Sequence, residues 1–228
     1  MQHQLGSTIA DEATLAPRTD VRSARGNLLV KRLLDIGLSV AGGVVATPLW
    51  LAAIVAILLE DGPPVLFRQK RWGRSETKFD VLKFRTMRKD ADAVRQATVG
   101  DARITRVGRV LRACGMDELP QVLNIIKGDM SLVGPRALAV GEIIPDHDGR
   151  DLTYEQVPGF AARLAVRPGL TGPAAIYLSK DAHPLDKLRE DLRYVRERTL
   201  LYDIKLILLS FWISVSGRWE RRDKKVGG

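Results

Sequence analysis

The sequence predicts an α+β fold that is mostly helical. A run from Ile36 to Leu59 contains no Asp, Glu, Lys or Arg, and a helix of that length suits a bilayer core of roughly 30 Å. Residues 78–84 alternate polar and apolar side chains, as a half-buried strand does. Helical patterns dominate the rest. We expect a disordered tail at 1–26, a re-entrant helix-break-helix at 27–60, a compact domain at 61–216 and a basic tail at 217–228.

The chain is basic. It has 228 residues, 36 Lys and Arg against 27 Asp and Glu, and a formal net charge of +9. This balance suits nucleic acid, an anionic lipid surface or a phosphorylated substrate, although a solvated basic surface explains it equally well. The single cysteine, Cys114, excludes an internal disulfide and a cysteine-rich zinc site.

The apolar run is expected to enter a membrane and return to the same face. Thr47-Pro48 lies near its middle, where proline removes one backbone hydrogen bond and the threonine hydroxyl can bond a freed carbonyl. Basic residues on both flanks oppose translocation of either end; they are Arg25, Lys31 and Arg32 before the run and Arg68, Lys70, Arg71 and Arg74 after it. The alternative is a buried core helix in a soluble protein.

Short elements are expected next. The stretch 63–67 predicts an extended segment and 69–73 a turn, before the strand at 78–84. Residues 88–113 predict a helix with a basic stripe of arginines spaced three apart, which is most often a solvated face. The members of this stripe are Arg103, Arg106, Arg109 and Arg112.

A second helix is expected at 117–127, with Asp117 as its N-cap and Gly128 after its end. Residues 129–136 predict a loop or a short strand, and the Pro/Gly-rich stretch 167–173 predicts a turn or loop.

Two helices are expected near the end of the domain. Residues 185–198 are strongly charged. The largely apolar stretch 199–216 fits either an interfacial amphipathic helix on the membrane or a core helix, and Trp212, Trp219 and the basic tail favour the interface.

The adjacent acids Asp117 and Glu118 are the candidate reactive groups. On a helix they point about 100° apart. An ionised aspartate is a competent nucleophile towards phosphorus, while an ordinary capping pair is the plainer interpretation of two acids at a helix start.

A carboxylate approaches a diphosphate only where positive charge offsets the repulsion. The candidate phosphate-binding residues are Lys83, Arg85, Arg112, Arg136 and Arg167. A Mg²⁺ ion held by Asp117 and Glu118 would serve the same purpose, because Mg²⁺ needs only one or two carboxylates besides phosphate oxygens and water.

From about Lys31 to about Ser214 the chain resembles the bacterial sugar transferase family, the small monotopic phosphoglycosyl transferases. Several motifs occur in the family's order, which makes the resemblance specific. They are Lys31-Arg32 with Asp35, Pro64-Val65-Leu66-Phe67-Arg68-Gln69, Lys83-Phe84-Arg85-Thr86-Met87, Asp117-Glu118-Leu119-Pro120-Gln121, Asn124, Lys127 to Arg136, and Arg167-Pro168-Gly169-Leu170-Thr171-Gly172.

The resemblance implies a reaction in which Asp117 attacks the β-phosphate of a UDP-sugar, releases UMP and holds the phosphosugar covalently. A polyprenyl (undecaprenyl) phosphate then takes the phosphosugar. It also implies Mg²⁺ dependence, with Glu118 assisting at the metal, and a membrane break at Thr47-Pro48. Lys83, Arg112 and Arg136 match family residues near the phosphates.

The same resemblance implies a cytosolic catalytic domain on the cytoplasmic face of the bacterial inner membrane. The partners implied are the UDP-sugar, the polyprenyl phosphate and membrane lipids, with no nucleic acid; a homodimer is compatible with the sequence. The chain departs from the family at Ala137 and after Gly172, where a family arginine has no clear counterpart, and these changes bear on sugar specificity.

Two other functions fit parts of the sequence. A membrane-anchored protein could bind anionic lipid or nucleic acid through its basic residues without any chemistry. A cytosolic basic domain could instead bury the apolar run as a core helix.

Overall fold

The computed structural model describes residues 21–89, 101–146, 148–179 and 181–219. The helices are α1 (Val21–Asp61), α2 (Arg106–Ala113), α3 (Gln121–Lys127), α4 (Phe160–Arg163), α5 (Pro173–Tyr177), α6 (Pro184–Glu197) and α7 (Leu200–Val215). The strands are β1 (Leu66–Trp72), β2 (Lys78–Phe84), β3 (Ser131–Val133), β4 (Ile143–Pro145), β5 (Asp151–Thr153) and β6 (Gly169–Thr171). The predicted mixed α/β fold is confirmed, with about half of the described residues in helices; the tail expected at 1–26 lies largely outside the described residues.

The first helix, α1, is long and mostly exposed. Its segment Leu28–Asp61 is apolar enough to cross a membrane, and only 11% of its most apolar stretch is buried. A buried core helix is therefore the wrong interpretation of this run. One stripe along the helix packs against the rest of the protein, at Asp35, Ser39, Ala46, Ala53 and Ile57.

Both ends of the apolar run are fixed to the same domain. Near the start, Arg32 Nη1 donates to the carbonyl of Ile125 at 2.7 Å. Near the end, the carboxylate of Glu60 accepts from the backbone N–H groups of Arg106 and Val107 at 2.7 and 2.8 Å, which caps α2.

The sequence predicted that the helix would break into two at Thr47-Pro48, but the structure shows no such break. α1 is one continuous helix with Pro48 inside it. A proline removes only one N–H from the backbone ladder, and the hydroxyl of Thr47 donates to the carbonyl of Gly43 at 3.0 Å. The local loss is small enough for the helix to continue.

Strands β1 and β2 form an antiparallel hairpin, with Phe67 opposite Lys83 and Arg71 opposite Phe79. The predicted strand at 78–84 is confirmed, whereas residues 69–72, predicted as a turn, belong to β1. Because directly opposed residues point to the same face of a sheet, Arg71 and Lys83 share one face of the hairpin.

The helix predicted at 88–113 is much shorter. It begins after Thr105, whose side chain accepts from the N–H of Gly108 and so caps α2. Arg103 precedes the helix and its guanidinium pairs with Asp101 at 2.7 Å, so it does not extend the basic stripe. Residues 90–100 of this prediction lie outside the described part of the chain.

The sequence predicted Asp117 as the N-cap of α3, but the structure places Pro120 at that position. Asp117 lies in a 3₁₀ turn, Met116–Glu118, and α3 begins at Gln121 after Pro120. Pro120 has no N–H to donate to the preceding turn, and the next bonds, Val122 N to Leu119 O and Leu123 N to Pro120 O, span three residues. The regular helix therefore starts four residues later than expected.

The Pro/Gly-rich stretch predicted as a turn or loop contains strand β6, which pairs in parallel with β3. Backbones come very close here, since a Cβ atom on Gly169 would collide with the backbone of Gly134. This pairing fixes the segment Gly134-Pro135-Arg136 beside β6.

The last two helices match their predicted bounds. α7 buries Leu206 and Ile213 in a cluster with Val133, Ile176 and Tyr194. Its opposite side carries exposed apolar residues, so α7 has both a core side and an unpartnered apolar side. The exposed residues are Leu201, Ile204, Leu208, Phe211, Trp212 and Val215.

Candidate active site

The 3₁₀ turn places the two acids against the β1–β2 hairpin. The ammonium group of Lys83 forms an ion pair and a hydrogen bond with Glu118. Burial lowers the pKa of Lys83, while the charges of Glu118 and Asp117 act in the opposite sense. The sequence prediction that Lys83 lies near both acids agrees with this geometry.

The two carboxyl groups have opposite electrostatic environments. Burial and the charge of Glu118 raise the pKa of Asp117 to about 6, against the opposing effects of Lys83 and Arg112. Burial also disfavours ionisation of Glu118, but Lys83 and Arg136 outweigh it and hold its pKa at about 2. Glu118 is thus the stable partner of the cations, and Asp117 is buried and weakly compensated.

Arg112 acts on Asp117 and Arg136 acts on Glu118 through their charges. Arg112 lies in the last turn of α2, and Gly115 (φ 69°) reverses the chain between it and Asp117. Arg136 follows β3; its side chain is exposed and its charge acts on Glu118. Its backbone carbonyl accepts from the guanidinium of Arg163.

A buried ion pair between Arg163 and Asp191 fixes the backbone of Arg136. Nε of Arg163 donates to Asp191 at 2.9 Å, and both side chains are only 2% exposed. The loop that carries Arg136 is therefore fixed from the protein interior while its guanidinium remains accessible to a ligand.

Sequence reasoning missed Arg71 as a site residue and counted it only as a positive flank of the apolar run. Its guanidinium is buried, donates to the carbonyl of Ala137 and to Gln69 at 2.6 Å, and its charge acts on Glu118. Burial and the nearby Arg136 lower the pKa of Arg71 to about 10. A strand extended through Trp72 would have included Arg71, but its place on the face of Lys83 follows from the hairpin register.

Arg85 and Arg167 turn away from the acids. Arg85 pairs with Asp61 at 2.8 Å and donates to the carbonyl of Gly62 at 2.6 Å, at the end of α1. Arg167 donates to the carbonyl of Gly128 at 2.8 Å. These contacts anchor both side chains to neighbouring backbone, and the phosphate-binding role of Arg85 and Arg167 stays a prediction.

Within the described residues, no three His, Cys, Asp or Glu side chains cluster to form a closed metal cage. Asp117 and Glu118 offer two carboxylates, and Glu118 is already paired with Lys83. Such a donor set fits an ion that takes its remaining ligands from phosphate oxygens and water, as Mg²⁺ does.

Comparison with known proteins agrees with this arrangement. The model of the bacterial sugar transferase family matches residues 26–217. The chain belongs to the bacterial sugar transferase family. It is therefore an enzyme, a transferase. The matched residues include most of α1, both acids and all of α7.

Curated relatives of this sugar transferase are similar over most of its length. A UDP-glucose:undecaprenyl-phosphate glucose-1-phosphate transferase of Caulobacter vibrioides is 43% identical over 79% of this chain and 67% of its own. The exopolysaccharide production protein PSS of Rhizobium leguminosarum is 38% identical over 79% of this chain and 92% of its own. A UDP-glucose:undecaprenyl-phosphate glucose-1-phosphate transferase of Escherichia coli is 36% identical over 86% of this chain and 42% of its own.

Proposed function

We propose that this sugar transferase moves a sugar 1-phosphate from a UDP-sugar to polyprenyl phosphate, giving a polyprenyl diphosphosugar and UMP. In this role it would catalyse the first membrane step in the assembly of a bacterial glycan. The observation that carries the proposal is the contrast between Asp117 and Glu118: one carboxylate is buried and weakly compensated, and the other is held ionised among cations.

In the first step an oxygen of the ionised Asp117 attacks the β-phosphorus of the UDP-sugar. The bond from that phosphorus to the bridging oxygen breaks, and the bridging oxygen leaves with the electron pair as part of UMP. Cations near Asp117 and Glu118 offset the charge that develops on the phosphoryl oxygens and on the leaving group. Lys83, Arg112 and Arg136 supply this charge in the proposal.

In the second step an oxygen of the polyprenyl phosphate attacks the phosphorus held by Asp117. The new phosphorus–oxygen bond gives the diphosphosugar, and the aspartate leaves as a free carboxylate. Burial suits Asp117 to the first step, because a poorly solvated carboxylate is a better nucleophile than a hydrated one.

Asp117 and Glu118 would hold Mg²⁺ together with the diphosphate of the donor. The ion would supply charge stabilisation to the phosphoryl group. Glu118 suits this role because its low pKa keeps it ionised over the physiological range, and Lys83 orients it through their ion pair.

The contacts of α1 support a monotopic arrangement in which the continuous apolar helix stays on the same side of the membrane as the domain. About 38 Å of helix separates Asp35 from Glu60 at 1.5 Å per residue, yet both ends bond to the same domain. A helix that crossed the bilayer would carry its two ends to opposite faces. Anchored ends therefore favour a domain on one face, which we assign to the cytoplasmic face of the inner membrane.

The exposed apolar side of α7 supports the same arrangement. Phe211 and Trp212 are 71% and 57% exposed, and burying such rings at a lipid interface is favourable. A site at this level would receive the water-soluble UDP-sugar from one side and the phosphate of the lipid acceptor from the other.

The proposal is tested by UMP release. The purified protein, with undecaprenyl phosphate and Mg²⁺, is screened against a panel of UDP-sugars that begins with UDP-glucose, the donor named for two of the relatives above. We expect UMP release over many turnovers with at least one sugar only when the acceptor is present, and its loss on chelation of the metal. Absence of UMP with every donor would refute the proposal.

A further inference from the structure

Three buried side chains follow one another along the 3₁₀ turn and α3. Asp117, Gln121 and Asn124 are 8%, 3% and 3% exposed. Gln121 and Asn124 are three residues apart and so form one stripe of α3, and Asp117 precedes this stripe in the turn. The segment packs against β2, the strand that carries Lys83.

Asn124 satisfies its amide group on β2. Its Oδ1 accepts from the backbone N–H of Leu82 at 3.1 Å, and its Nδ2 donates to the carbonyl of Asp80 at 2.8 Å. This amide serves the architecture, since it closes the backbone bonds of a strand edge.

Gln121 is the contrasting amide on the same stripe. Its Nε2 group is buried and has no hydrogen-bond partner. A buried donor without an acceptor costs folding free energy, so its retention points to an acceptor that arrives with a ligand. Helical side chains lean towards the N-terminus of their helix, which directs Gln121 over the turn that holds Asp117.

Arg112 supplies an independent second observation. Its Nη1 group is also buried without a partner, and its charge acts on Asp117. Two unpaired donors thus flank Asp117 along the chain, Arg112 five residues before it and Gln121 four residues after it. A ligand with several acceptor oxygens beside Asp117 would satisfy both.

We propose that Nε2 of Gln121 donates a hydrogen bond to a non-bridging oxygen of the phosphoryl group that Asp117 attacks. This inference rests on the proposed function and adds a substrate-binding residue to it. A donor N–H group cannot ligate a metal ion, so the partner is an oxygen of the substrate. As a neutral donor, Gln121 stabilises charge on that oxygen without a further cation beside the nucleophile.

The test combines stability with activity in the full-length protein. Gln121→Met keeps the side-chain length and helix propensity but removes the donor. We expect UMP release to fall about 10²-fold, mainly in kcat, as on loss of one oxyanion donor, while Tm stays equal to that of the wild type or rises. Gln121→Glu should lower the rate further, because it places a negative charge beside the phosphate.

Asn124→Leu is the matched control, an amide removed from the same stripe where both amide atoms are bonded. It should lower Tm, because two backbone groups of β2 lose their partners. A fall in Tm for Gln121→Met comparable to that of Asn124→Leu would make Gln121 structural and overturn the inference, as would unchanged kcat. An inactive wild type would overturn the proposed function and the inference together, whereas an active wild type with an equally active Gln121→Met would overturn the inference alone.

Discussion

Two regions of this protein bury the same kinds of charged residues but differ in how completely those residues are hydrogen-bonded. At the base of α1, the carboxylate of Asp35 accepts from the hydroxyl of Ser131 at 2.7 Å and from the N–H of Leu132 at 3.1 Å. Lys31 pairs with Asp203 at 2.6 Å, and Tyr194 donates to the same carboxylate at 2.8 Å. Each buried carboxylate of this anchor region is thereby bonded from two sides.

The region around Asp117 and Glu118, the dyad region, has buried polar groups whose hydrogen bonds are incomplete. Asp117 accepts from a backbone N–H group, whereas Nη1 of Arg112 and Nε2 of Gln121, among the residues that the structure describes, have no partner. The contrast teaches that burial alone does not mark function. The bonded carboxylates of Asp35 and Asp203 hold elements together, whereas the open donors beside Asp117 are available to a ligand.

The largest expected effects follow substitution of Asp117 and Asp35, two of the buried aspartates. Asp117→Asn should reduce transfer by about 10⁴-fold or more, as removal of a catalytic nucleophile does, and leave Tm unchanged or higher because a poorly compensated carboxylate is lost. Asp35→Asn should keep the transfer rate of the folded enzyme but lower stability by about 1–3 kcal/mol, since an amide NH₂ then faces a donor. UMP release and thermal unfolding of both variants measure this, and exchanged phenotypes would break the comparison.

Two part-buried lysines, Lys83 and Lys31, extend the comparison of the two regions. Lys83→Met should lower kcat by roughly 10²-fold through loss of charge at the phosphates, with little change in stability because Glu118 is part-exposed and keeps Arg136 nearby. Lys31→Met leaves Asp203 buried without its cation and should cost about 3 kcal/mol. Denaturant unfolding and steady-state kinetics separate the two outcomes; a destabilised Lys83→Met with normal kcat would contradict the assignment.

The smallest effect is expected at Pro48. Because α1 is already continuous and bonded to the domain at both ends, Pro48→Ala should change transfer by less than about twofold, the loss of one backbone constraint being local. An N-terminal protease-cleavable tag should remain on the cytoplasmic face in both forms. A tag that reaches the opposite face in Pro48→Ala would mean that proline, and not the anchor region, sets the topology.

Local signals in the sequence predicted much of this molecule. The alternation at 78–84 and the charged and apolar helices near the end hold because each pattern reflects contacts made by the segment itself. The proximity of Lys83 to Asp117 and Glu118 was predicted from chemistry and resemblance.

The features that the sequence did not reveal depend on distant partners. Strand β6 is three residues long and exists through its pairing with β3. Arg71 lies near Glu118 because of the hairpin register. Arg167 donates its hydrogen bond to the carbonyl of Gly128. The unpaired amide of Gln121 is defined by the absence of a neighbour, which a linear pattern does not record.

The central claim is that Asp117 becomes covalently bonded to phosphorus, and intact-protein mass spectrometry without acceptor tests it most directly. Incubation with the preferred UDP-sugar and Mg²⁺ should add the mass of one sugar phosphate, located on the tryptic peptide 113–127 that holds Asp117. Undecaprenyl phosphate should then remove it. Transfer that proceeds without any adduct, or an adduct on another residue, would contradict the account.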